Sequence, residues 1–139
     1  MFFFFIGARE ALDSPELDRF ARALETIQAR YPSMTMPMLA TLLRIGTLPA
    51  REGDLATVSD VAARSPGQKY PTIARQIDLL GDGNGRSSGL RLLEKRADDH
   101  DGRVRYVAVS ERGRQLLQEL TVILAPTLFD PVAGPLSNE

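Results

Sequence analysis

Apolar side chains recur at helical spacing in five stretches of this chain and in strand-like alternation in one more. Leu17, Phe20, Leu24 and Ile27 fall on one face at intervals of three and four. Before them stands Asp13-Ser14-Pro15-Glu16, which supplies a capping side chain, a proline for the first turn and an acid for the positive helix end. Tyr31-Pro32 closes that helix. The spacing predicts a second helix from about residue 35 to residue 45, with Met36, Leu39, Leu42 and Leu43 as its apolar side and Gly46 at its end. Residues 48–54 read as a loop, and Leu55-Ala56 as a short strand.

Next come two short helical segments, residues 58–65 and 70–80, separated by a Ser65-Pro66-Gly67 break. Thr57 with Asp60 three positions on suits the start of the first, and Val61 and Ala62 are expected to face inward. In the second, Ile73, Ile77 and Leu80 form the core stripe. Gln68, Thr72 and Arg75 lie roughly opposite on a helical wheel, with Lys69, Tyr70 and Gln76 near the helix start and flank. A glycine-rich stretch, residues 81–89, reads as a flexible connector.

Residues 92–110 then read as two strands joined by the aspartate-rich turn Asp98-Asp99-His100-Asp101, with Lys95, Arg96, Arg103 and Arg105 near the strand tips. Asp98, Asp99 and Asp101 are expected to order the turn, with Asp101 paired to Arg103. Ser110 caps a last long helix carrying Leu116, Leu117, Leu120, Ile123 and Leu124, and Pro126 ends it. Residues 129–139, with two prolines and a glycine, are expected to hold at most a turn of helix.

The predicted fold class is therefore mainly α with a small β-hairpin, as one winged helix-turn-helix domain over residues 1–139. Helices within 13–46 precede the helix-turn-helix and wing at 55–110, and a C-terminal helix occupies 110–125. Helix, turn, helix and then a basic hairpin is a plan that points to double-stranded DNA. The major groove admits a helix whose Arg and Gln side chains read base edges, and Lys69 and Tyr70 are placed for phosphate. The candidate DNA-binding residues are thus Gln68, Lys69, Tyr70, Thr72, Arg75 and Gln76 from the helix, and Arg96, Arg103 and Arg105 from the wing.

Net charge, −1 over 139 residues, at first argues against this, but its distribution does not. Residues 64–114 carry eleven Lys/Arg against seven Asp/Glu, a net of +4, while the remainder carries six against eleven, a net of −5. Local field rather than total charge governs attraction to phosphate.

Other chemistries are poorly served. The chain has no cysteine and one histidine, His100, so no disulfide, thiolate nucleophile or His-based catalytic pair is expected, and the protein is read as no enzyme. Absence of cysteine fits a reducing compartment, and a cytoplasmic location is expected. The Asp98–Asp101 turn fails the calcium-loop template, because aligning Gly102 with the loop glycine puts Ala97 and Ala108 at ligand positions. Gly83-Asn84-Gly85 is not followed by Lys-Ser/Thr, so it is no phosphate loop. No metal and no cofactor are expected. The opening Met1-Phe2-Phe3-Phe4-Phe5-Ile6 is too short for a membrane span and meets Arg9 and Glu10 at once. No membrane association is expected. The run reads as an apolar tail seeking a partner surface, in this chain or in a second subunit.

Residues 57–114 resemble the MarR family of winged-helix regulators. The likeness is carried by Val58-Ser59-Asp60-Val61-Ala62, Thr72-Ile73-Ala74-Arg75, Leu92-Leu93-Glu94-Lys95-Arg96, Asp101 and Arg103 at the wing, Val107-Ala108-Val109-Ser110, and Gly113. Departures are Gly102 where an arginine is common, a longer connector, and Arg91 where a glycine is common. The resemblance implies a homodimeric transcription regulator, usually a repressor on a near-palindromic operator. It also implies release by a small aromatic ligand bound between the dimer and DNA-binding regions. Tyr31, Phe20, Met34, Met36 and Met38 are the candidate lining, although methionines at such spacing commonly fill cores. The alternative reading is a winged-helix module that docks protein without sequence-specific DNA binding; the overall acidity, the acidic wing tip and the glycine-rich connector leave it open.

Overall fold

The structure, a computed structural model, describes residues 12–48, 55–83, 85–86 and 88–126. The apolar run at residues 2–6, the loop at 49–54 and the tail at 129–139 lie outside the described residues. In chain order the elements are α1 (Pro15–Arg30), α2 (Met36–Gly46), β1 (Ala56–Thr57), α3 (Val58–Ala63), α4 (Tyr70–Leu80), β2 (Leu93–Ala97), β3 (Arg105–Val109) and α5 (Glu111–Leu124).

Capping fixes the helix starts. The Ser14 hydroxyl accepts the Leu17 N–H at 3.2 Å, that of Thr35 accepts the Met38 N–H at 3.3 Å, and that of Ser110 accepts the Gly113 N–H at 3.1 Å. Thr57 and Asp60 form the reciprocal version: each side chain accepts the other's backbone N–H, at 3.1 and 3.0 Å.

The buried face of α1 departs from expectation. Leu17 and Phe20 are 54% and 51% exposed, whereas Arg19, Ala23 and Ile27 are buried. This helix packs on α5 through positions four apart. Arg19 is drawn inward because its Nε donates to the Leu124 carbonyl at 3.1 Å, at the carbonyl-rich end of α5, where a cation is favoured. Arg30 pairs with Glu119 of α5 at 2.6 Å. In α2 the inward residues are Met38, Leu39, Thr41, Leu42 and Ile45, while Met36 and Leu43 lie outside.

The three strands form one antiparallel sheet in the order β1-β3-β2. Leu42, Val61, Ile77, Leu80 and Leu92 are completely buried, so the core joins α2, the helix-turn-helix and the root of the hairpin. The connector after α4 is tied down at both ends. The N–H groups of Leu90, Arg91 and Leu92 donate to the carbonyls of Leu79, Gly81 and Leu80 at 2.8–3.0 Å, and Gly83 bridges to Ser88. The returning chain thereby satisfies the last carbonyls of α4. Arg91 is held at φ 60°, a left-handed conformation better suited to glycine.

Candidate nucleic-acid interface

Helix α3 ends in a turn that sets the approach of α4. The Ser65 hydroxyl donates to the Val61 carbonyl at 2.7 Å, and the Gln68 N–H donates back to the Ser65 carbonyl at 3.1 Å. Gly67 takes φ 77°, a left-handed step open to glycine without strain. The chain then enters α4 through Lys69, whose side chain does not cap the helix, and no acidic residue occupies the first turn. The positive end of α4 is therefore uncompensated by its own sequence.

Ile73, Ile77 and Leu80 hold α4 against the core. Gln68, Lys69, Tyr70, Thr72 and Arg75 all lie on the exposed side. Gln76 does not. It is only 9% exposed, and its Oε1 has no hydrogen-bond partner among the described residues. The expectation that Gln76 flanks the outward face is corrected: three residues on from Ile73, it stands about 60° from that residue around the helix and turns inward beside it.

The hairpin register sorts the wing arginines. Across β2 and β3, Leu93 faces Val109, Lys95 faces Val107, Arg96 faces Tyr106 and Ala97 faces Arg105. Side chains alternate between the two faces of a strand, so Arg105 shares the face of buried Leu93 and Val107. Arg96 and Tyr106 occupy the opposite face. The structure thus brings Arg105 toward the helix-turn-helix and sets Arg96 apart from it.

A cleft of about 180 Å³ joins these parts. Tyr70 at the start of α4, Arg103 and Arg105 of the wing, and Thr57 and Ser59 at the start of α3 all line it. Thr57 and Ser59 were not among the candidate site residues. The Thr57–Asp60 capping signature was the available clue, since it marks a helix N-terminus beside the turn.

The acidic wing tip is an internal scaffold. The Asp98 carboxylate accepts the backbone N–H groups of Asp101 and His100 at 2.9 and 3.0 Å, and the Tyr106 hydroxyl at 3.1 Å. Hydrogen bonds from the Asp101 and His100 backbone, then from Tyr106, hold its pKa below the ordinary carboxylate value. Asp101 accepts both the backbone N–H and the Nε of Arg103, at 3.1 and 3.2 Å, yet the Arg103 side chain remains 92% exposed. Lys95 is paired with Asp78, linking β2 to α4. Among the described residues, Lys69, Arg75, Arg96 and Arg105 form no ion pair, so their charge faces solvent.

Among the described residues, no helix is long and apolar enough to cross a membrane, and no group of three or more His, Cys, Asp or Glu is placed to hold a metal ion.

No protein-family model matches the chain, and no curated protein matches it. Solved structures do. A MepR variant from S. aureus bound to an oligodeoxyribonucleotide has a TM-score of 0.57 at 20% identity, covering 88% of this chain and 75% of that one. A second S. aureus MepR variant has a TM-score of 0.53, also at 20% identity, over 86% and 73% of the two chains. The PcaV transcriptional regulator from Streptomyces coelicolor, in complex with its natural ligand, has a TM-score of 0.45 at 26% identity over 82% of each chain. The two MepR structures share the winged-helix fold described above.

Proposed function

We propose that this chain, a MarR-like winged helix-turn-helix in fold, is a sequence-specific double-stranded DNA-binding transcription regulator. In this reading it is a homodimeric repressor on a near-palindromic operator. The observation that carries it is the convergence of Tyr70, Arg103 and Arg105 on one cleft beside the exposed face of α4. Helix and wing present cations on one side, as groove and backbone contacts require. The MepR structure of the same fold is bound to an oligodeoxyribonucleotide, which supports the reading.

The test is selection of duplexes from a random pool, followed by mobility shift across a salt series. A salt-dependent, sequence-selective complex is expected. Weak binding indifferent to sequence would instead favour the module that docks protein.

Two variants probe the roles. Arg75→Ala is expected to lose about 1–3 kcal/mol of binding to the selected operator and to tolerate more bases at one position, as when a bidentate base contact is removed. Unaltered affinity and selectivity would refute that role. The Arg103→Ala/Arg105→Ala double variant is expected to weaken all sequences alike and to lower the slope of log K against log salt by about two units, one per phosphate contact. A wild-type slope would remove the wing from the interface.

A further inference from the structure

Helix α4 carries a single acid, Asp78, in its last turn, with no basic residue beside it there. An acid near the carbonyl end of a helix is unfavourable. On a helix that faces DNA it would also repel phosphate. Its charge is met from outside the helix: the Lys95 ammonium of β2, 17 residues on, pairs with the Asp78 carboxylate, and both side chains are 32% exposed. The sheet register puts Lys95 in place for this. Lys95 stands opposite Val107 and two residues from Leu93, so it shares the face of those two buried side chains. Arg105 lies on the same face but lines the cleft beside Tyr70. Eight residues separate Tyr70 from Asp78, about 12 Å along the helix. Lys95 is therefore the wing cation that serves Asp78.

A partly exposed ion pair contributes little to folding. What this one decides is the partner of a second cation. Arg75 is the one basic residue of α4 and stands three residues before Asp78, the spacing at which side chains of one helix meet. Yet Arg75 is exposed and forms no ion pair among the described residues. With Asp78 already held against the wing, the Arg75 guanidinium keeps its donors for a base edge.

We infer that Lys95 is a positioning residue for base recognition: by holding the Asp78 carboxylate on the wing, it keeps Arg75 free to face the groove. Loss of Lys95 hands Asp78 to Arg75. Between solvated side chains such a pair shifts an equilibrium only about twofold. Exclusion of water at a protein–DNA interface strengthens it. The consequence at the operator rests on the DNA-binding reading; the exchange of partners within the chain does not.

The experiment uses the full chain and two duplexes: the selected operator, and the same operator changed at the base pair that Arg75→Ala ceases to discriminate. Preference is the ratio of the two affinities. Lys95→Met is expected to lower it about fivefold. Asp78→Asn removes the charge and keeps the shape, and is expected to leave the preference at the parental value. The double variant Lys95→Met/Asp78→Asn is expected to recover that value. In an Arg75→Ala background, Lys95→Met is expected to change the preference no further. All these variants are expected to unfold near the parental urea concentration. A plain tether between wing and helix predicts a different pattern: Lys95→Met and Asp78→Asn lose preference alike, and the double variant recovers nothing. That pattern, or parental preference in Lys95→Met, overturns the inference. Without DNA, the Arg75 Nε–H resonance is expected to move in Lys95→Met and to return in the double variant. If it does so while no duplex is selected from the random pool, the DNA reading falls and the exchange of partners stands. If a duplex is selected while preference and resonance both ignore Lys95→Met, the inference falls and the DNA reading stands.

Discussion

Gly113→Ala is expected to destabilise the domain by about 3 kcal/mol, as overpacking into a filled interior does, lowering the melting temperature by about 10 °C. Gly113 lies in the first turn of α5, directly beneath the chain that leads into the hairpin. A Cβ there would stand 2.1 Å from the Leu92 carbonyl oxygen and 2.7 Å from Val109 Cγ1. The first of these is backbone and cannot swing aside. Leu92 is fully buried, its N–H is bonded to the Leu80 carbonyl at 2.8 Å, and its carbonyl accepts the Ser110 N–H at 3.0 Å. Relief therefore requires α5 to move away from the point where α4, β2 and the Ser110 cap meet.

The sign of this result discriminates sharply. Alanine is a better helix former than glycine by about 1 kcal/mol, so without the close approach Gly113→Ala would stabilise α5. Equilibrium urea unfolding settles the matter, with Gly102→Ala as the control, since a Cβ at Gly102 meets nothing within 4 Å. A Gly113→Ala variant as stable as the parent would show that α5 does not press on Leu92.

Helix starts were legible because capping is local. Ser14, Thr57 with Asp60, and Ser110 each announce a helix within four residues, and each makes its capping hydrogen bond. The core stripe of α4 was legible for a similar reason, since Ile73, Ile77 and Leu80 follow one periodicity. Packing partners were not legible. Arg19 is buried through a bond to the far end of α5, 105 residues along the chain, which no local pattern encodes. Gln76 reads as flanking the outward face, yet its angular position adjoins Ile73 and it is buried. Arg96 and Arg105 looked equivalent as strand-tip cations, and only the pairing of Arg96 with Tyr106 separates their faces. The connector read as flexible from its glycines, yet its ends pair with the last turn of α4, because a helix end must find partners for its carbonyls.

The apolar face that α1 was expected to bury leads to the second large effect. Leu17 and Phe20 are about half exposed, and on the neighbouring α5 Val122 is 74% and Leu124 42% exposed. These exposed apolar side chains lie on two helices that pack against each other, and exposed apolar surface shared by neighbouring elements is what a partner surface would cover. In the proposed function that interface is the homodimer, with a two-fold axis that puts two copies of α4 about 34 Å apart, one turn of duplex. A dimer binds both half-sites in a linked event, and such linkage is worth about 10²–10⁴ in affinity. Phe20→Glu places a charge on this face without entering the core of the single chain. It is expected to sediment as a monomer at micromolar concentration and to bind the selected operator about a hundredfold more weakly, while its affinity for an isolated half-site is unchanged. Val122→Glu is expected to do the same from α5. A parent chain that is itself monomeric at that concentration would remove the dimer from the reading, and a Phe20→Glu protein that remains dimeric and keeps full operator affinity would place the dimer contact elsewhere; either leaves Leu17 and Phe20 as ordinary surface.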